Sequence, residues 1–402
     1  MKYVVIGASA AGLSGVRTLR ENDKNAQIVM IAPDEIIHSR CILHRFISGE
    51  RGRDKLSFVE DNFIGSNNVE WLKTKATGVD IKSKKVITKD HGSVNYDKLL
   101  VAAGSITRMP YIKNLEGARN VFCLGCFEDA VAIKENAAKA KHIAVIGTGL
   151  IGCDVIYGLM DFEAEVFCFE TGAHMMPVNL DEHSAGVYQK AFAEKGVKQY
   201  YNVKVLEILL NGSGGVRALK LADGREFACD MLIVAAGVRA NVDFLRDSGL
   251  ELGNKGLLFD KYGKTSDENV YGAGDISGLT PIWSAAVKEG IVAAGNMSDV
   301  KSEMTDFFAV KSAMNFFGIP TMSIGVPVRP NHFYDEVVDI DTKNNYKKII
   351  YKDGEIHGAI LQGDLSHAGI LTQLIRNQID VSRVRKPLLK IDYSDFFGEF
   401  VF

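Results

Sequence analysis

Apolar positions along this chain fall into two rhythms that alternate. A short β-branched run stops at a glycine, and a helical spacing of apolar residues follows it. Val4-Val5-Ile6 ends at Gly7, and from Leu13 the pattern continues through Val16 and Leu19. His142 to Ile146 runs in the same way into Gly147, with Val155, Ile156 and Leu159 behind it. Ala26 to Ile31 and Val166 to Phe169 read as the strands that come next. Shorter strand-like segments separated by turn residues then make a meander in each half. In the first half they are Val69–Leu72, Ala76–Ile81, Lys85–Thr88 and Asn95–Val101, with Lys89 to Gly92 as a turn. In the second they are Val203–Leu209, Val216–Leu221 and Met231–Val234, with turns at Asn211 to Gly215 and Ala222 to Arg225. Each half ends in Ala-Ala-Gly, at Ala102-Ala103-Gly104 and Ala235-Ala236-Gly237. A repeat longer than about a hundred residues means duplicated domains and not a solenoid.

Beyond the duplicated unit, Thr265 to Asp275 carries a short strand into Gly272-Ala273-Gly274-Asp275. A helix from Trp283 to Met297 follows, lined with Ala285, Ala286, Gly290, Ala293 and Ala294, which permit close approach to a cofactor or to another helix. From residue 305 the pattern changes to a small third unit. Its apolar stretches at 307–310 and 314–320 precede an antiparallel meander over Glu336–Ile340, Tyr346–Tyr351 and Glu355–Leu361, turned at Asp353-Gly354. A helix over His367 to Asn377 closes it.

The glycines carry the first chemical signal. A strand, a tight turn and a helix with Gly at fixed offsets place free helix N-terminal amides against a pyrophosphate. In Gly7-Ala8-Ser9-Ala10-Ala11-Gly12 a Ser holds the middle position, while Gly147-Thr148-Gly149-Leu150-Ile151-Gly152 is complete. Glu170 closes the strand after the second turn, where a carboxylate accepts from an adenosine ribose 2′-hydroxyl and repels a 2′-phosphate. The equivalent strand in the first copy ends in Ile31-Ala32-Pro33, so Asp34 or Glu35 would have to reach the ribose instead. Asp275 stands where a carboxylate can accept from a flexible polyol such as a ribityl chain. Two fingerprints mean two dinucleotides, a bound flavin and a diffusing nicotinamide.

Composition narrows the reading only a little. The net charge of −3 favours neither nucleic acid nor an anionic membrane, and no apolar run approaches the roughly 18 residues of a membrane span. The chain enters a core strand at once, and its six scattered cysteines form no disulfide framework, so a cytoplasmic enzyme is expected. Cys153, Cys168 and Cys229 read as small core residues. Cys123 and Cys126 form a lone Cys-x-x-Cys; with Cys123 in a strand and a helix starting near Glu128, the pair reads as structural and binds no metal.

These motifs, in this order and at this spacing, resemble the class I pyridine nucleotide-disulfide oxidoreductases over residues 1 to about 300. The resemblance implies an α/β fold with two Rossmann-like, three-layer ββα dinucleotide-binding domains and a small α+β C-terminal domain. The nicotinamide domain (116–244) is inserted in the flavin domain (1–115 and 245–304), and 305–402 form the third. It implies FAD on Gly7, Ser9, Ala10, Ala11, Gly12, Asp34, Arg40, Ala103, Gly104, Gly274, Asp275 and Trp283. NADH is implied on Gly147, Gly149, Leu150, Ile151, Gly152, Asp154, Glu170, Ala236 and Gly237. Two positions depart from the family: Ala32 replaces its ribose-binding Glu, and Asp154 the Glu of its nicotinamide fingerprint. The stretch after 305 resembles the short C-terminal domain of NADH:rubredoxin reductases and nitrite reductase flavin modules, which argues against a site shared across subunits; a monomer or a homodimer is expected. Relatives that reduce dioxygen or peroxide carry a His where this chain has Ala10.

The electron acceptor is the open question, and it turns on Cys41. Coenzyme A-disulfide reductases of the family place a redox-active Cys at this position, whereas the rubredoxin branch shares the Ser39-Arg40 lead-in and carries Pro. Arg40, Arg45 and His44 are close in sequence, and cations at a helix start stabilise a thiolate. Against that, a lone Cys is commonly inert, the second Cys of two-cysteine reductases is absent, and the stretch 38–45 also reads as the start of a plain surface helix. Two acceptors therefore stand, a small redox protein such as rubredoxin and, through Cys41, a low-molecular-weight disulfide such as coenzyme A disulfide or a persulfide. A flavin-binding scaffold with no turnover is the alternative of another class.

Overall fold

The computed structural model describes residues 1–305, 310–343 and 345–396. The apolar stretch expected at 307–309 therefore lies outside the described residues. Among the described residues the helices are α1 (Ala10–Asn22), α2 (Leu43–Ile47), α3 (Phe63–Ser66), α4 (Phe127–Ala137), α5 (Leu150–Leu159), α6 (Glu182–Glu194), α7 (Trp283–Met297) and α8 (Ala368–Arg376).

The first sheet is wholly parallel, in the spatial order Val270–Gly272, Lys98–Val101, Lys2–Ile6, Gln27–Ile31, Val69–Leu72. Both of its faces are buried, and alternate residues serve each. Val4, Ile6, Val29 and Ile31 pack on the antiparallel meander of Ala76–Asp80, Lys85–Thr88 and Ser93–Asn95. Tyr3, Val5, Ile28 and Met30 pack on α1 and α7. The second copy repeats this, with a parallel sheet in the order Lys198–Tyr200, Glu165–Phe169, His142–Ile146, Met231–Val234, Val121–Phe122. Ala144, Ile146, Phe167 and Phe169 face a second three-stranded meander, and Ile143, Val145, Val166 and Cys168 face α5. The strand Val270–Gly272 returns to the first sheet after the second is complete, so one dinucleotide-binding unit is inserted in the other. A two-stranded ribbon, Ser105–Thr107 against Val238–Ala240, ties the two passages of the chain together.

Three local expectations are corrected. Asn95–Val101 is not one strand: Ser93–Asn95 belongs to the meander and Lys98–Val101 to the parallel sheet. The change of sheet falls between Tyr96, whose N–H donates to the Lys84 carbonyl of the meander at 3.1 Å, and Asp97, whose N–H donates to the Lys2 carbonyl at 2.9 Å and whose Oδ2 accepts from the Lys2 N–H at 2.6 Å. The stretch 38–45 is not a surface helix; a 3-10 turn at Arg40–Ile42 leads into α2, and His38, Leu43 and His44 are buried. Helix α4 begins at Phe127 with Cys126 as its N-cap residue, because Asp129 Oδ2 accepts from the Gly125 and Cys126 backbone N–H groups and starts the turn earlier.

The C-terminal unit is a five-stranded antiparallel sheet in the order Lys311–Phe316, Ile319–Gly325, Glu355–Gln362, Tyr346–Lys352, Asp335–Ile340. One face holds Ile324, Ile349, Ala359 and Leu361 against α8. Met314, Phe316, Tyr346 and Ile360 belong instead to the core around α5 and α6.

Arg20 locks the edge of the first unit. Its guanidinium is buried and donates to five backbone carbonyls: Asn67 at 2.8 Å, Asp23 at 3.1 Å, Lys24 at 2.8 Å, Ala26 at 2.9 Å and Asn68 at 3.3 Å. Replacing it strands carbonyls in a place water reaches poorly, so Arg20→Met is expected to destabilise the protein by about 3 kcal/mol. Chemical denaturation checks this; an unchanged midpoint would show that water replaces the guanidinium.

Candidate functional site

The two glycine turns end at one cavity of about 1940 Å³. It is walled by Gly7, Ser9, Ala10, Ala11, Asp34, Arg40, Cys41, Ala103 and Gly104 on one side, and by Gly274, Asp275 and Trp283 beside them. Gly147, Gly149, Leu150, Ile151, Asp154, Glu170, Ala236 and Gly237 form the opposite wall. Of the residues expected at the site, Gly12 and Gly152 alone are absent from this lining, and their place is inside the turns. A Cβ on Gly12 would lie 1.9 Å from the Gly7 carbonyl oxygen, and one on Gly152 2.1 Å from that of Gly147. They set how closely helix meets strand.

The first turns of α1 and α5 are built to receive anions. Neither N-cap residue, Ser9 or Gly149, makes a side-chain cap hydrogen bond, and neither first turn holds an acidic residue. Their amides therefore face the cavity without a local carboxylate competing for them. Asp275 Oδ2 accepts from Ser105 Oγ at 2.9 Å; burial pushes its carboxyl up, against the Ser105 hydrogen bond and the Arg40 charge. The adjacent Gly274 N–H donates to Glu289 Oε2 at 2.7 Å, and burial pushes Glu289 up to about 7.

Glu170 is held in place by its own turn. Thr148 donates to Oε2 from its N–H at 2.8 Å and its hydroxyl at 3.1 Å, and the Gly172 N–H donates to Oε1 at 2.8 Å. Burial alone would raise this carboxyl, but these bonds and that of the Thr171 hydroxyl hold it below the usual carboxylate range. The charge is thus permanent near neutral pH, and no basic residue stands among Thr171, Gly172 and Ala173.

Cys41 opens into the cavity, but its surroundings do not match those expected of a thiolate. Arg40 is turned to Asp34, at 3.7 Å, and to the Gly125 carbonyl. Arg45 pairs with Glu50 at 2.9 Å. His44 is uncharged, its imidazole pushed down to about 4 by burial and by Arg45 and Arg51. Burial and the nearby carboxyl of Asp154 push the Cys41 thiol up to about 11, and only a Ser39 hydrogen bond opposes them. Cys126 also lines the cavity at a helix start, yet burial pushes its thiol up to about 12. Asp34 also lines the cavity; it is 8% exposed, and its Oδ1 lies 3.7 Å from the Arg40 guanidinium.

Several walls had no signal in the sequence. Ala313, Asn315, Pro320 and Thr321 of the C-terminal sheet and Leu365 of the loop before α8 reach the cavity, as do Pro177 to Asn179 and His44. The alternation of exposed Ala313 and Asn315 with buried Ser312, Met314 and Phe316 was the only available cue, and it does not say what the strand packs on.

The fixed charge of Glu170 is expected to make NADH the preferred donor. kcat/KM for NADH should exceed that for NADPH by at least about tenfold, since a buried like-charge contact costs more than about 1.4 kcal/mol. Equal values would place the ribose elsewhere.

Comparison with known proteins agrees with this geometry. Residues 1–290 match the family model described as pyridine nucleotide-disulphide oxidoreductase, and residues 312–379 match that of the rubredoxin NAD+ reductase C-terminal domain. The chain is 32% identical to an NADH oxidase of Methanocaldococcus jannaschii, over 75% of this chain and 71% of that one. It is 25% identical to the assimilatory nitrate reductase electron transfer subunit of Bacillus subtilis, over 98% of this chain, and spans 52% of that relative's length. The structure of an NAD-dependent persulfide reductase from A. fulgidus superposes with a TM-score of 0.85 at 26% identity, covering 96% of this chain and 78% of that one. No helix among the described residues is long and apolar enough to cross a membrane. Two fingerprint turns facing one cavity, and a family match over most of the chain, make this protein an FAD- and NAD(H)-dependent oxidoreductase of the pyridine nucleotide-disulphide oxidoreductase family.

Proposed function

We propose that the chain takes hydride from NADH through FAD and passes electrons to a small redox protein such as rubredoxin or a ferredoxin-like carrier. The observation that carries this reading is the placement of the cations around Cys41: Arg40 is engaged by Asp34 and the Gly125 carbonyl and Arg45 by Glu50, so neither guanidinium is left to hold a thiolate that would attack a disulfide. The match of residues 312–379 to a rubredoxin reductase C-terminal domain supports it, as does the likeness to an electron transfer subunit. A second reading keeps one specific support. Cys41 opens into the cavity, and the superposed persulfide reductase is 26% identical, so reduction of a low-molecular-weight disulfide or persulfide is the alternative. A scaffold would have no use for a nicotinamide turn with Glu170 anchored on Thr148.

Each group of residues then has a task. FAD, when bound, supplies the two-electron acceptor that the protein itself lacks. The amides of Ala10 and Ala11 would hold its pyrophosphate, Asp275, fixed by Ser105, would accept from its polyol, and Trp283 and Arg40 would border it. The amides of Leu150 and Ile151 would hold the nicotinamide pyrophosphate, and Glu170 would accept from the adenosine ribose. The domain division that fits these tasks is 1–115 with 245–304 for FAD, 116–244 for NADH and 305–402 as the third unit. The net charge of −3 favours neither nucleic acid nor an anionic membrane as a partner, and the reading proposed is a cytoplasmic enzyme, monomeric or homodimeric.

Anaerobic titration with NADH is expected to bleach the flavin absorbance of wild type and Cys41→Ser alike, with no long-wavelength thiolate-to-flavin band in either. Rubredoxin reduction should proceed at the wild-type rate in the variant. Appearance of that band in wild type, and its loss in Cys41→Ser together with disulfide turnover, would establish the second reading instead. Dioxygen is expected to be a slow acceptor although several similar proteins are named NADH oxidases, because Ala10 offers the cavity only a methyl group. An oxygen electrode decides this; consumption as fast as carrier reduction would reveal another proton donor.

A further inference from the structure

His44 sits where an imidazole has few natural partners. It stands on α2 at 8% exposure, and its Nδ1 has no hydrogen bond. Asp154 Oδ1, on α5, lies 3.4 Å from that nitrogen. The helices come so close because α5 has Gly158 at the contact, where a Cβ would lie 2.7 Å from the His44 carbonyl oxygen. Tyr157 of the same helix meets the imidazole edge-on, with ring centroids 6.2 Å apart. Few charges face the pair: Arg45, beside His44 on α2, and Arg51 oppose a charge on the imidazole, and Arg45 favours one on the carboxyl. Burial drives both groups toward their neutral forms, the imidazole down to about 4 and the carboxyl up to about 8. Both side chains line the cavity together with Cys41, and the Asp154 charge, followed by the smaller effect of Asp275, disfavours the Cys41 thiolate.

We propose that His44 and Asp154 share one proton across the α2–α5 contact, as a positioning pair that keeps the wall beside Cys41 uncharged near neutral pH and gives it one negative charge in alkali. A carboxylic O–H donating to Nδ1 satisfies the orphan nitrogen and the buried acid at once. The alternative form, carboxylate with imidazolium, has the same net charge, so the two groups titrate as a unit. While the proton is held, the chamber wall does not oppose negative charge arriving with electrons or residing on sulfur. Once it is lost, a buried carboxylate opposes both. The inference concerns the charge of the chamber and does not depend on which acceptor takes the electrons.

The test is made on the purified flavoprotein. Alkylation of Cys41 by iodoacetamide is followed by peptide mass spectrometry from about pH 6 to about 10, a range that spans the titration of such a pair. Only thiolate reacts, so against a wall of fixed charge the logarithm of the rate rises by about one per pH unit below the thiol pKa. In wild type the rise is expected to flatten around pH 8, where Asp154 loses its proton. In Asp154→Asn it should stay straight, with a rate at alkaline pH about 3- to 10-fold above wild type, and Asp154→Glu should restore the flattening. Histidine 15N resonances, with His44 assigned through His44→Gln, should show the His44 ring moving with that same midpoint in wild type and losing it in Asp154→Asn. A straight wild-type profile, or a His44 that titrates identically in both proteins, overturns the proposal. Should Asp154→Asn fail to fold, His44→Gln decides: sharing requires the flattening to move, and an unmoved midpoint overturns it.

Discussion

The architecture depends on how closely backbone can approach backbone at two glycine turns. Gly7 has a φ of +118°, and a Cβ on it would lie 2.2 Å from the Ala102 carbonyl oxygen. Gly147 has a φ of +93°, with Ala235 oxygen at 2.4 Å from the same hypothetical atom. The turn therefore crosses directly over the end of the neighbouring strand, and the Ala-Ala-Gly that closes that strand is the complementary surface. Gly12 and Gly152 then let each helix fold back on its own turn. That the same contacts recur in both copies, at nearly the same separations, explains why two amide-lined helix ends face a single cavity.

A similar economy of side chain joins α1 to α7. A Cβ on Gly290 would lie 2.2 Å from the Ala11 carbonyl oxygen, and one on Gly274 would lie 3.1 Å from the Ala11 Cβ. The small residues of α7 thus answer to a helix crossing as well as to the cavity, which Ala286 also lines. The third unit is attached by different means. Its Tyr346 donates to Asp181 Oδ2 at 2.6 Å, and the buried Lys348 reaches the same oxygen at 3.1 Å and Glu336 at 3.0 Å. Asp181 also caps α6 through Ser184, and despite its burial these bonds hold its carboxyl at about 2. Because that value lies below the unfolded one, the attachment is fully stabilised above about pH 4 and is lost as the pH falls toward 2.

What could be read in the sequence follows from range. Val4 to Gly7 and His142 to Gly147 announce strand and turn through contacts only a few residues apart, and the fold class follows from finding that pattern twice. The division of Asn95–Val101 between two sheets could not be read, because the backbone of Tyr96 bonds to Lys84 and that of Asp97 to Lys2, almost a hundred residues away in the chain. Nor could the contribution of Ala313 and Asn315 to the cavity, which exists because Met314 and Phe316 complete a core belonging to α5 and α6. Cys126 as a helix cap depended on Asp129 accepting two N–H groups, a pattern visible at three residues' spacing but with no Ser or Thr to signal it.

Cys41 shows most plainly why adjacency in sequence is a weak guide to electrostatics. Arg40, His44 and Arg45 surround it along the chain, and on a regular helix they would share its environment. Instead the 3-10 turn at Arg40–Ile42 sends Arg40 toward Asp34 and Gly125, while α2 sends Arg45 to Glu50 and buries His44 against α5. The group that does reach the sulfur is Asp154, more than a hundred positions away, which is uncharged while it keeps its proton and of the opposite sign once that is lost. A thiol needs a cation within a few ångströms to ionise near neutral pH, and the chain's path, not its composition, decides which charge arrives there. The same path makes His44, which reads in the sequence as one more potential cation, the neutral partner of a buried acid.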